Sequence, residues 1–205
     1  MNELSIIPLA ITVILGPQIT VAILLLTKKN PIKNSVSYIL GITFGIICLT
    51  SVSYLFLSYY HIDAPNNAYQ LKIKVAISFL LIYLMIKNFL SRNKLTKKPK
   101  WMQSLQNASP KSIFLIGFGL ILFMPADIAV AFSVGGFLTA KNQSIVNATP
   151  LFITVMILIS LPMDIYFILG KKGPKLMKKV NHWINNNGWV INKIVYMMFI
   201  YLIWS

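Results

Sequence analysis

The chain has 205 residues, of which 57% are hydrophobic and only 11% are charged, and its mean hydropathy is +0.72. This composition excludes a soluble globular protein, which needs more polar surface, and predicts an integral membrane protein. Nineteen basic residues against four acidic ones give a net charge of +15. In so apolar a chain this excess predicts basic loops facing an anionic lipid leaflet and argues against nucleic-acid binding.

Apolar runs long enough to cross the hydrocarbon core, which takes about 17 to 25 helical residues, occur six times. They lie near residues 6–27, 36–59, 75–90, 113–139, 151–170 and 189–204. The sequence therefore predicts an all-α integral membrane protein with six transmembrane helices. We expect a first three-helix unit in residues 1–92, a basic cytoplasmic linker in 93–111 and a second three-helix unit in 112–205.

Most of the lysines and the arginine lie in the first, third and fifth of the predicted connections. Because short cytoplasmic loops accumulate basic residues, both termini are predicted to lie outside. No basic residue precedes the first apolar run, so we expect it to remain as a span and not to be cleaved as a signal peptide. The abundance of Lys, Asn and Ile suggests a bacterial cytoplasmic membrane.

The fifth connection has the pattern of an amphipathic helix just before the last span. Apolar side chains recur at the spacing of one helix face: Leu176, Val180, Trp183 and Ile184. Three lysines face the other way: Lys175, Lys178 and Lys179. This pattern predicts a helix in the membrane interface whose lysines meet anionic headgroups. The alternative is a generic anchor that orients the protein without contacting substrate.

The two halves share a short motif in which a proline inside a span is followed by a polar residue. The first span contains Gly16-Pro17-Gln18 and the fourth contains Pro125-Ala126-Asp127. Because each unit has three helices, a second copy would enter the membrane from the opposite side, which predicts an inverted repeat. In transporters of this design, interrupted helices meet near the bilayer midplane and hold the substrate.

Two of the four acidic residues, Asp127 and Asp164, fall within apolar spans, and each follows a proline by two positions. A carboxylate is costly there unless it is paired, hydrated or protonated. We expect Asp127 to line the translocation path and exchange a proton, and Asp164 to pair with Asp127 or with a lysine. A buried ion pair that only fixes helix packing is the alternative. The predicted pathway has six residues: Asp127, Asp164, Pro17, Gln18, Pro125 and Pro162.

Other sequence features indicate packing more than chemistry. Gly41 and Gly45 form a small-xxx-small pair in the second span, which allows close approach of helices and leaves room for a homodimer. The sequence has no recognisable catalytic nucleophile motif and no cluster of metal-ligating side chains. We therefore expect no enzymatic activity, no metal and no cofactor.

Several short segments resemble one family of membrane proteins over nearly the whole chain. They are Gly16-Pro17, Lys28-Lys29-Asn30-Pro31, Tyr38-Ile39-Leu40-Gly41, Lys100-Trp101-Met102, Ser109-Pro110-Lys111, Gly173-Pro174-Lys175 and Trp183-Ile184-Asn185. The chain is similar to the peptidoglycolipid- or sulfolipid-addressing (GAP or Sap-like) proteins of the lysine-exporter superfamily. The resemblance implies export of amino acids, metal ions or, in this branch, envelope glycolipids, on two inverted three-helix units.

Many relatives carry an Asn-Pro turn in the fourth helix, where this chain has Met124-Pro125-Ala126-Asp127. The ionisable group suits proton coupling or a cationic substrate. We therefore expect a secondary transporter, exporter or flippase for an amphipathic, anionic envelope lipid, coupled to protons through Asp127. The alternative is an exporter of a small polar solute such as an amino acid, whose ammonium group Asp127 would bind. Membrane lipids are the expected partners in either case.

Overall fold

The computed structural model describes residues 3–14, 17–60 and 108–187, together with Leu105 and single helical positions within 75–90 and 189–200. Its regular elements are helices, and the described part of the chain contains no strand. Most of the predicted linker lies outside the described residues, and the third and sixth predicted spans are described only at scattered helical positions. The division into units 1–92, 93–111 and 112–205 therefore stays a prediction.

Seven α-helices have described bounds. They are α1 (Glu3–Ile14), α2 (Pro17–Leu25), α3 (Pro31–Tyr60), α4 (Pro110–Phe123), α5 (Pro125–Ala140), α6 (Thr149–Ile168) and α7 (Gly173–Asn186). Four of them begin with a proline. Proline suits this position because its fixed φ is already helical and the N–H it lacks would have no helical partner there. The positions of these prolines in the sequence therefore indicate where the four helices begin.

Two helical segments are long and apolar enough to cross a membrane: Pro31–Tyr59 and Ile145–Ile168, the latter comprising a 3-10 turn and α6. The pair α4 and α5 would form a third candidate span, bent by 68° at its break. The chain is therefore an all-α membrane protein. The described residues contain two or three candidate spans, so the predicted count of six remains a prediction.

The first and fourth predicted spans each contain a proline, and each comprises two separate helices. Residues 6–27 contain α1 and α2, and residues 113–139 contain α4 and α5. Pro17 and Pro125 are the first residues of the second helix in each pair. Neither proline can donate a backbone hydrogen bond to the preceding turn, so the helical ladder stops there.

The long helix α3 packs against α4 and α5 through glycines. A Cβ atom added at Gly41 would clash with the backbone carbonyl of Phe114, and one at Gly117 would lie 2.9 Å from the carbonyl oxygen of Tyr38. One at Gly45 would lie 3.0 Å from the Cβ of Ile121. The small-residue face of α3 is thus used within the chain, and the homodimer stays a prediction.

We predict that Gly41→Ala destabilises the protein by about 1–3 kcal/mol, because the added methyl group would push α3 away from the Phe114 backbone. Thermal unfolding of the purified protein in detergent measures the change. Gly119→Ala on α4 is the matched control, since its new Cβ would meet only the Phe123 ring at 4.0 Å. Equal melting temperatures for the two variants would contradict the packing described here.

Candidate functional site

The site lies where two broken helices begin again. Between α4 and α5 the chain is extended at Met124, with φ −83° and ψ 120°. This conformation follows from Pro125, whose ring disfavours the helical region for the residue before it. In the first half of the chain, Pro17 is likewise the first residue of a helix, α2. Both breaks therefore place a helix N-terminus inside an apolar segment.

Gln18 and Asp127 meet at these two N-termini. The Gln18 side-chain amide donates a hydrogen bond of 2.7 Å from Nε2 to Oδ2 of Asp127, across 109 positions of sequence. Both side chains are almost inaccessible, at 2% and 1% exposure. The two residues that the sequence motif singled out in separate halves of the chain are thus direct partners in the structure.

Tyr38 of α3 completes the arrangement. Its hydroxyl group donates a hydrogen bond of 3.1 Å to the backbone carbonyl of Gln18, and its side chain is fully buried. A buried tyrosine hydroxyl needs such a partner, and here it holds the first turn of α2 against α3. Tyr38 was not among the site residues predicted from the sequence. The predicted span 36–59 contains three tyrosines, and nothing in the sequence distinguishes Tyr38 from Tyr54 and Tyr59.

Helix ends supply the electrostatic environment of Asp127. The first turn of a helix carries unsatisfied N–H groups and a partial positive charge, which favours a nearby carboxylate. Asp127 is the third residue of α5, and Gln18 is the second residue of α2. The described hydrogen-bond partner of the Asp127 side chain is an uncharged amide.

The pair keeps two acceptor oxygens for further interactions. Within the described residues, Oε1 of Gln18 and Oδ1 of Asp127 are buried and have no hydrogen-bond partner. A buried acceptor left unsatisfied costs about 1–3 kcal/mol, so both atoms favour a proton or a bound donor group. The site can therefore accept a proton, an ammonium group or a hydroxyl group at these two oxygens.

Asp164 lies apart from the site and does not pair with Asp127, whereas its pairing with a lysine stays a prediction. Its side chain is exposed and accepts a hydrogen bond of 2.8 Å from the hydroxyl of Ser160, one turn earlier on α6. Pro162, by contrast, is buried. Residues that are two positions apart on a helix point about 200° apart around its axis. Because Pro162 faces the bundle, Asp164 faces outward.

Pro162 also differs from the other two prolines of the predicted pathway. The helix α6 continues through it from Thr149 to Ile168 without a break. A new helix therefore begins at Pro17 and at Pro125, but not at Pro162. Pro162 instead lines an apolar groove beside α7.

The amphipathic helix predicted in the fifth connection is confirmed as α7. Lys175, Lys178 and Lys179 are exposed, while Met177 and Ile184 are buried against the end of α2. Trp183 was expected on the apolar face, but 51% of it is exposed. The true inward face is centred one position away from Trp183, on Ile184.

One further basic residue lies near this junction. Lys28 follows α2 by three positions, and its ammonium nitrogen is buried without a hydrogen-bond partner among the described residues. Burial lowers its pKa from the ordinary value of 10.5, because the charged form loses its hydration. Leu26, two positions earlier, belongs to the apolar cluster that α2 forms with α7.

A family model described as Sap, sulfolipid-1-addressing protein, matches residues 6–205. The chain belongs to this family. The Sap-like resemblance seen in its short segments is thereby confirmed, and Gln18 and Asp127 of this Sap-family protein both fall within the matched region. No curated protein and no solved structure is significantly similar to the chain. Within the described residues, no group of three His, Cys, Asp or Glu side chains could hold a metal ion.

We predict that Tyr38→Phe lowers the free energy of unfolding by about 0.5–1.5 kcal/mol, because the backbone carbonyl of Gln18 loses its buried donor. Chemical unfolding in detergent measures the loss. Tyr54→Phe, at a half-buried tyrosine of the same helix, is the control and should change stability less. A loss at Tyr54 equal to that at Tyr38 would show that the hydroxyl of Tyr38 has no special role.

Proposed function

We propose that this Sap-family protein exports an anionic, amphipathic lipid of the cell envelope, acting as a secondary transporter or flippase. The observation that carries the proposal is the buried hydrogen bond between Gln18 and Asp127 at the two helix breaks. Broken helices whose N-termini meet inside the membrane are a recurring design for substrate and ion sites in transporters. If this amide and carboxylate served only to fix helix packing, two continuous helices could carry them, and the new helix starts at Pro17 and Pro125 would not be needed.

The wider architecture extends this proposal. We infer two inverted three-helix units of the lysine-exporter type, six spans in all, in a bacterial cytoplasmic membrane with both termini outside. The breaks before Pro17 and Pro125 occupy matching places in the two units, which supports the repeat. The protein would then act by alternating access and not as an enzyme.

The lipid nature of the substrate is supported by two observations. The name of the family refers to the addressing of a sulfolipid, and a sulfolipid is an anionic amphiphile. The helix α7 has exposed lysines on one face and buried apolar residues on the other. Such a helix would gather anionic headgroups at the cytoplasmic surface.

Proton coupling has a simple chemical basis in the pair. An ionised Asp127 can only accept hydrogen bonds, and Nε2 of Gln18 donates one to it. A protonated Asp127 can instead donate its O–H to Oε1 of Gln18, the acceptor that has no described partner. Each protonation state thus has its own hydrogen bond between α2 and α5. The two states can favour different arrangements of the broken helices.

Export of a small polar solute is the second candidate. The unpartnered Oδ1 of Asp127 could accept a hydrogen bond from the ammonium group of an amino acid. In that case a cationic or zwitterionic solute would protect the protein against thermal unfolding, whereas an anionic lipid would not. The two candidates are therefore separable in one assay.

We predict that Asp127→Asn slows lipid transport by about tenfold or more, because the amide cannot take up a proton inside the membrane. The measurement is the transfer of fluorescent phosphatidylglycerol between the leaflets of liposomes that contain the full chain and maintain a proton gradient. Asp164→Asn is the control, since that carboxylate is exposed on α6 and should leave the rate unchanged. Equal rates for Asp127→Asn and wild type would contradict proton coupling through Asp127.

A further inference from the structure

An apolar groove of about 320 Å³ lies between α1, α2, α6 and α7. Every side chain that lines it is apolar, among them Ile14, Ile19, Leu161, Ile165 and Leu176. Its volume is at the lower end of the range for small-ligand sites, which starts at about 300 Å³. A ligand portion held here must itself be apolar, because the walls offer no side-chain donor or acceptor.

The groove runs from the first helix break to the basic helix. At one end, Ile14 is the last residue of α1 and Ile19 directly follows Gln18 on α2. At the other end lie Leu176, Met177 and Val180 of α7. Along α6 the lining extends over residues 158–165, a rise of about 10 Å. A ligand in the groove would therefore reach from α7 to the region beside the Gln18–Asp127 pair.

The same helix that walls the groove carries a cluster of cations. Lys175, Lys178 and Lys179 alternate along α7 with the lining residues Leu176, Met177 and Val180, and all three lysines are exposed. α7 has no acidic residue among its 14 positions. α7 thus lines the apolar groove with one face and carries the three lysines on the other, an amphipathic arrangement that is complementary to an anionic headgroup attached to a hydrocarbon chain.

We propose that this groove binds one acyl chain of an anionic lipid, whose headgroup lies against Lys175, Lys178 and Lys179. The inference rests on the proposed function in one respect, since the bound lipid would be the substrate at its entry site. Binding itself is independent of transport. A hydrocarbon without a headgroup would have no charge to bind the lysines, and a headgroup without a chain would have no apolar part to fill the groove. The two features together therefore favour an amphiphile.

The first test is photolabelling of the full chain in lipid nanodiscs. The probe is phosphatidylglycerol with a diazirine on one acyl chain, and the comparison probe is phosphatidylcholine with the same chain. Peptide mapping should place the phosphatidylglycerol label within residues 158–165 and on α7. The phosphatidylcholine label there should be several-fold weaker. Equal labelling by both probes, or no labelling of these segments, would overturn the proposal.

A variant that fills the groove provides the second test. Leu161→Trp should reduce labelling by about threefold or more, because the indole would occupy the space of the acyl chain. Leu161 is 43% exposed, so the larger side chain need not disturb the core. Ile157→Trp, one turn earlier on α6, is the matched control because Ile157 is 52% exposed and does not line the groove. Equal labelling of both variants would overturn the proposed binding place.

The headgroup contact is tested by charge removal. Replacing Lys175, Lys178 and Lys179 together by Gln should reduce phosphatidylglycerol labelling by about tenfold, since each surface lysine attracts an anionic lipid. The control replaces Lys33, Lys111 and Lys141, three exposed lysines on other segments than α7, and should leave labelling unchanged. An equal loss in both triple variants would mean that only overall charge matters, and it would overturn the headgroup site.

These outcomes are distinct from those of the proposed function. Lipid transport by wild-type liposomes without labelling of the groove would overturn the acyl-chain site and leave export intact. Labelling of the groove without transport by wild type would support the acyl-chain site and overturn export.

Discussion

A carboxyl group inside a bundle of apolar helices needs hydrogen-bond partners, and in this chain Asp127 has Gln18. That one interaction depends on several others. Pro17 and Pro125 end the preceding helical ladders and bring two N-termini to the same place. Tyr38 then holds the backbone of Gln18 from α3. The polar centre of the protein is thus a product of two helix breaks and one crossing helix.

The glycines of α3 and α4 allow this centre to form. Tyr38 lies on the same stretch of α3 as Gly41, where the backbones of α3 and α4 are in direct contact. From this stretch of α3 the hydroxyl of Tyr38 also reaches the backbone carbonyl of Gln18 on α2. Around the centre, the groove beside α6 and α7 is wholly apolar. A polar pair next to an apolar groove suits a substrate that is itself polar at one end and apolar along its length.

The polar centre was predictable in part from sequence. Proline followed by a polar residue in both halves identified Gln18 and Asp127, because proline has a definite backbone effect in any context. The same reasoning was wrong for Asp164, since the spacing Pro-x-Asp does not fix which helix face points inward. Tyr38 could not be assigned, because its role depends on a contact 20 positions away that no local pattern encodes. The periodicity of α7 was sufficient to predict that helix, although not the exact direction of Trp183.

The most direct test moves the carboxyl group from Asp127 to position 18 and the amide from Gln18 to position 127, while each side chain keeps its length. Gln18→Glu alone should lower the melting temperature in detergent strongly, because it places two carboxyl groups at hydrogen-bond distance in a buried site. Adding Asp127→Asn to that variant should restore most of the loss, since an amide again faces a carboxylate. If the second substitution gave no recovery, Gln18 and Asp127 would not be partners and the proposed centre of the transporter would be wrong.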